Sequence, residues 1–150
     1  MKEEKMKHRT EASFPGGYRT NIKVESPGSG KILEFHTDYS KEYGGDGSAP
    51  TPWDTFLASM TACQGIHVRN FCAEHNIPTE DLRVQMDVVL AEDNREVKEF
   101  ITNIVFPKGV SKDLQEAAIY EARHCKVVQH LLDFEPIVTY TVETAEGTDK

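Results

Sequence analysis

Polar and apolar residues alternate along the first quarter of the chain, the pattern of short, half-buried strands. From Thr10 onward the chain reads as extended. Over residues 18–26, Thr20, Ile22 and Val24 alternate with Asn21 and Lys23, so one side faces a core and the other faces water. Residues 32–38 predict a partner strand. The PGSGK between them carries the Pro and Gly of a hairpin turn. Residues 42–50, EYGGDGSAP, then make a loop with three glycines that ends on a helix start. Thr51 suits the N-cap and Pro52 the first helical position, and Asp54 completes a variant of the capping box. The helix is predicted over residues 52 to about 75.

Within it Trp53, Phe56, Leu57, Met60, Cys63, Ile66, Val68, Phe71 and Cys72 cover nearly every direction of the helical wheel. Such a helix is expected to be buried on all sides. At ~1.5 Å per residue it spans roughly 36 Å, more than one sheet covers, and a second copy of the chain would supply the missing cover. Next, Leu82, Val84, Met86, Val88 and Leu90 alternate strictly and make the clearest strand, with residues 100–106 as its partner. Ser111 caps a helix to about residue 124. A shorter helix, 125–132, follows a kink, and residues 136–144 close the chain as a strand. The order β-β-β-α-β-β-α-α-β segregates strands from helices and indicates α+β.

Composition narrows the function classes. The 150 residues suit one domain, 1–150, with an ordered core of about 10–144. A formal net charge of -8 disfavours nucleic acid and anionic membranes as partners. No stretch approaches the ~20 apolar residues that cross a bilayer. No apolar run follows MKEEKMKHR, so a secretory signal is not expected and the default location is the cytoplasm. The three cysteines include no CxxC pair, which disfavours a disulfide scaffold.

Each thiol therefore has two readings. Cys63 is a small core hydrophobe or a reactive thiol. Small or polar Ser59, Thr61, Ala62 and Gln64 leave room beside it, and His67 lies one turn on. Cys72, nine residues later, falls on the opposite side of the helix about 13 Å along its axis and reads as packing. Cys125 is a junction residue tucked against the core. Alternatively it is a thiolate favoured by a helix N-terminus and by Arg123 and Lys126.

Residues 49–63, APTPWDTFLASMTAC, resemble the first motif of the OsmC/Ohr superfamily: a Pro-x-Pro-x-Glu/Asp loop opening a helix that runs through small residues to a Cys. His124-Cys125-Lys126-Val127-Val128 resembles its second motif, and the gap of about 60 residues between the two also matches. The resemblance covers roughly residues 10–144 and points to the broader OsmC-like branch. It implies an intertwined homodimer, with antiparallel sheets packed on the long central helix. It also implies thiol peroxidase chemistry in oxidative-stress defence. Cys63 would be the peroxidatic residue, attacking an organic hydroperoxide or hydrogen peroxide, and Cys125 the resolving residue. An external dithiol or lipoyl-type reductant would restore the pair, with no bound cofactor. The family's best peroxidases carry an early-strand Arg that supports the thiolate and is held by a Glu in the helix-opening loop. Arg19 stands at a comparable place. Trp53 or Asp54 occupies the Glu position, and Asp54 already serves as a capping residue.

Two other functions compete. One is a non-catalytic protein of the same fold that senses redox state or binds a small molecule. The other is a metal site from Cys63, His67, His124 and Cys125. It is disfavoured because neighbours such as His124 and Cys125 diverge in regular structure and zinc sites show tighter paired spacing.

Overall fold

The computed structural model describes residues 8–26, 29–93 and 96–133. The strand expected over 136–144 lies outside the described residues. Three antiparallel strands open the fold in the order β1 (Arg9–Gly16), β2 (Arg19–Ser26), β3 (Lys31–Thr37). Their register sets Thr10, Val24 and Leu33 in one row and Ala12, Ile22 and Phe35 in the next row of the same face. Glu11, Lys23 and Glu34 line up on the opposite face. The expected alternation is thus realised, but Leu33 remains 59% exposed.

Helix α1 (Pro52–Glu74) starts as the capping box dictates. The Asp54 amide donates to Thr51 Oγ1 at 3.2 Å, and the Thr51 amide donates to Asp54 Oδ2 at 2.9 Å. Burial of α1 on every side is not found among the described residues of one chain. Met60, Gln64, Val68, Phe71 and Cys72 form a single buried stripe, while Trp53 and Ile66 stay exposed. The stripe recurs at spacings of three and four, so it covers one face of the helix.

Strands β4 (Arg83–Leu90) and β5 (Val97–Val105) form a second antiparallel sheet. Val84 pairs with Ile104, Met86 with Thr102 and Val88 with Phe100, which places these six side chains on one face. Helix α2 (Lys112–Ala122) begins at Ser111, whose hydroxyl accepts from the Leu114 amide, and α3 (Lys126–Asp133) follows. Val68, Phe71 and Cys72 of α1 pack with Ile77 and with Ala118 and Ala122 of α2. Leu82, Ile104, Phe106, Val110 and Leu114 close around this cluster. The small Ala118 and Ala122 side chains let α2 pack closely on α1.

Candidate functional site: a hydrogen-bonded thiol pair

The break between α2 and α3 makes the site. After Ala122 the chain tightens into short turns, with the His124 amide donating to Glu121 O at 3.0 Å and the Cys125 amide to Ala122 O at 3.2 Å. Helix α3 then starts afresh at Lys126. The first amides of a new helix lack intrahelical partners. Here the Lys126 and Val127 amides donate to the Cys63 sulfur, and the Cys125 thiol hydrogen-bonds to it as well. Cys63 is half-buried on α1, and Cys125 is fully buried.

These contacts split the two thiols. Burial pushes the Cys63 thiol up, but the Cys125 thiol and the Val127 and Lys126 amides outweigh it and leave Cys63 below its ordinary value. Burial pushes Cys125 up, and its hydrogen bond to Cys63 and the charge on Cys63 add to that. The Val128 and Val127 amides oppose this rise without cancelling it. The sequence left two readings of Cys125, a junction residue tucked against the core, which its burial matches, and a thiolate favoured by the helix start. The helix does start there, but the anion it favours is across the gap, on Cys63. Of the two sulfurs, Cys63 is the one whose anion its neighbours favour, and a second sulfur lies beside it. Cys72 is buried in the α1–α2 core, where desolvation raises its thiol.

The other candidates lie elsewhere. Arg19 is exposed on β2, and its Nε donates to Asn21 Oδ1 at 3.2 Å. Asp54 is engaged by Thr51, whose hydroxyl donates to Oδ2 at 2.6 Å. Neither is among the groups that shift Cys63. His67 is half-buried. His124 is exposed, with Nδ1 3.8 Å from Glu121 Oε2 and its ring edge-on to Tyr120. Among the described residues no three of His, Cys, Asp and Glu gather as metal ligands would.

Three features escaped the sequence reading. The Lys126 and Val127 amides carry no side-chain signature, only the spacing of two helices separated by a short break. Gln64 is 7% exposed, and its side-chain carbonyl oxygen is buried with no hydrogen-bond partner among the described residues. Asp38 is 1% exposed and organises the loop that delivers α1. Its Oδ2 accepts from the Ser48 amide at 3.0 Å, the Ser48 hydroxyl at 2.7 Å and the Asp46 amide at 3.3 Å. Its Oδ1 accepts from the Tyr39 amide at 2.8 Å. The Ser48 amide and hydroxyl do most to hold its carboxyl down at about 2, against burial, with help from Tyr39 and Asp46. Gly45 belongs to the same construction, because a Cβ there would strike the Tyr39 carbonyl oxygen and come within 2.8 Å of Asp38 Oδ1. An Asp closing a strand before a Gly-rich loop was the available signal.

The family model for OsmC-like protein matches residues 45–141, which include both thiols of the pair. No curated protein sequence matches the chain. Among solved structures, a Psychrobacter arcticus protein named for osmotic stress induction and detoxification response is similar at 22% identity and TM-score 0.68. The match covers 86% of this chain and 90% of that one. An organic hydroperoxide resistance protein OsmC of Legionella pneumophila is similar at 20% identity and TM-score 0.58, over 87% and 93% of the two chains. An organic hydroperoxide resistance protein of Elizabethkingia anophelis gives 21% and 0.57, over 89% and 94%. These likenesses establish the α+β fold with its antiparallel sheets and long helix.

Proposed function

The chain belongs to the OsmC-like protein family, and on that premise we propose that it is a thiol-dependent peroxidase acting in hydroperoxide stress. The observation that carries the reading is the hydrogen-bonded pair in which the Cys125 thiol and α3 amides hold the Cys63 thiol below its ordinary value while burial and Cys63 push the Cys125 thiol up. The Cys63 thiolate attacks the terminal oxygen of a hydroperoxide. The O–O bond breaks, an alcohol or water leaves with a proton, and Cys63 becomes a sulfenic acid. The Cys125 sulfur then attacks Cys63, water leaves and a disulfide forms. An external dithiol reduces it and completes the cycle. Without the second thiol the sulfenic acid would be open to further oxidation.

The flank of Cys63 suits an organic substrate. Phe56, Val127 and Leu131 line an open cleft of about 400 Å³ there, with Lys126 and His130 beside them. An alkyl or aryl tail buries in such a lining at about 25 cal/mol per Å² of apolar surface. Organic hydroperoxides are therefore the better substrates in this reading, ahead of hydrogen peroxide. The names of the Legionella and Elizabethkingia proteins, organic hydroperoxide resistance, support the same class.

The working unit in this reading is a homodimer. The apolar row of Val24 and Leu33 and the exposed Trp53 and Ile66 of α1 need cover that the described residues of one chain do not give them. A second copy is the occupant that the commonest symmetry provides.

Peroxide consumption with a dithiol reductant tests the activity. Cys63→Ser is expected to abolish it and Cys72→Ser to leave it largely intact. Undiminished turnover in Cys63→Ser would overturn the proposal.

A further inference from the structure

Helix α3 begins on sulfur. Its first intrahelical bond runs from the Gln129 amide to the Cys125 carbonyl at 2.9 Å. The Lys126, Val127 and Val128 amides come before that bond and have no acceptor within the helix. Lys126 and Val127 donate to the Cys63 sulfur on α1, and Val127 and Val128 donate to the Cys125 sulfur. Cys125 thus does for α3 what Thr51 does for α1, capping it from the preceding position. Cys63 is a second cap, supplied from another helix. Helix α3 depends on such support. It has eight residues, and helices shorter than ~12–15 residues are marginal without tertiary contacts. Its Leu131 is 51% exposed, so packing holds it only thinly. The cleft beside Cys63 is built on this helix, because Lys126, Val127, His130 and Leu131 all belong to α3 and face Phe56 of α1.

We infer that the Cys63 sulfur anchors α3 and that its oxidation releases the first turn of that helix, so the redox state of the pair gates the Phe56 cleft. The inference rests on the hydroperoxide reading for its natural oxidant; the anchoring itself does not. An ionised acceptor makes hydrogen bonds roughly twice as strong as a neutral one, and Cys63 is the sulfur whose anion its neighbours favour. As the S–S bond forms, the Cys63 thiolate and the Cys125 thiol give up two electrons and the thiol proton. The hydroperoxide takes the electrons, that proton and one from solvent. Its O–O bond breaks, and an alcohol and water leave. Both sulfurs are then neutral and divalent, a weak class of acceptor. The new bond fixes the break before α3 and adds no acceptor for the amides that follow. The first turn of α3 frays, the cleft loses its α3 wall, and the alcohol departs. No second hydroperoxide settles there until the pair is reduced.

Amide hydrogen exchange, followed by NMR on the full-length protein, tests this with diamide as an oxidant independent of peroxide. The Gln129 amide is expected to exchange about tenfold faster in the disulfide form, the protection that one charge-assisted bond supplies. Val68, in the α1–α2 core, is expected to keep its rate. Cys63→Ala removes the anchor without forming a disulfide and is expected to show the fast Gln129 exchange with no oxidant present. Cumyl alcohol, the product of cumene hydroperoxide, is expected to bind the reduced protein about tenfold more tightly than the oxidised, as a depopulated binding state requires. Gln129 exchange that is unchanged or slower in the disulfide form would overturn the inference. So would equal alcohol affinity in the two forms, or full Gln129 protection in Cys63→Ala. If diamide forms the disulfide and loosens α3 while hydroperoxide forms none, the peroxidase reading falls and the gate stands. If no oxidant joins Cys63 to Cys125, both fall.

Discussion

The β1–β3 sheet and the α1–α2 half of the chain both present an apolar face, yet among the described residues only the second is covered. Val68, Cys72 and Ala118 have no exposure at all, whereas Leu33 is 59% exposed and Phe14 74%. Strand alternation is equally clear in both places. It states which face will be buried and is silent about what buries it. In the helical half the cover is local: α2 follows within 40 residues and its alanines fit against α1. Among the described residues the N-terminal sheet has no such partner. The thiol pair lies wholly in the covered half, and Arg19 lies in the other.

The sharpest break of this contrast is a charge on the open face. With a second copy covering β1–β3, Leu33→Asp should split the dimer. Light scattering should then report about 16.9 kDa for the variant and twice that for the parent. A parent that already runs as a folded single chain would remove the dimer from the account. Next in size is the core. Phe71→Ala, at a site 9% exposed, should cost about 3–5 kcal/mol in denaturant unfolding, the usual range for a buried aromatic.

The loop joining the two halves should respond to acid. Asp38 sits at about 2 when folded, against about 3.9 in an unfolded chain. Its folded value is depressed, so its contribution is fully present above the unfolded value and fades as pH falls from about 4 towards 2. Melting temperature should drop across that window in the parent and drop less steeply in Asp38→Asn. Equal slopes would mean that the Ser48 and Tyr39 contacts do not hold the carboxylate. Smallest is the cap: Thr51→Ala should cost about 1 kcal/mol by denaturant titration, since it removes a single N-cap acceptor.

Much of the fold was legible in the sequence because its signals are local. Thr51, Pro52 and Asp54 located the start of α1, Ser111 that of α2, and Leu82 to Leu90 the strand β4 within a residue. Cys63 and Cys125 stood out through two motifs and their separation. What could not be read was the direction of the electrostatics. A helix start beside Cys125 left open a buried junction residue or a thiolate; Cys125 is buried, and the amides of the new helix reach a sulfur on another helix, which no local pattern shows. The circumferential apolar pattern of α1 likewise promised burial on all sides, where the described residues of one chain bury a single stripe. Asp38 and Gln64 are polar residues whose importance comes from being buried, which no local pattern reveals.

The central claim is that Cys63 and Cys125 act as one redox pair, and peptide mapping under non-reducing conditions tests it most directly. After one equivalent of an organic hydroperoxide, the map should show Cys63 joined to Cys125 and Cys72 still free. In Cys125→Ser the same treatment with excess peroxide should carry Cys63 on to sulfinic acid. A disulfide that includes Cys72, or three free thiols after treatment, would contradict the account.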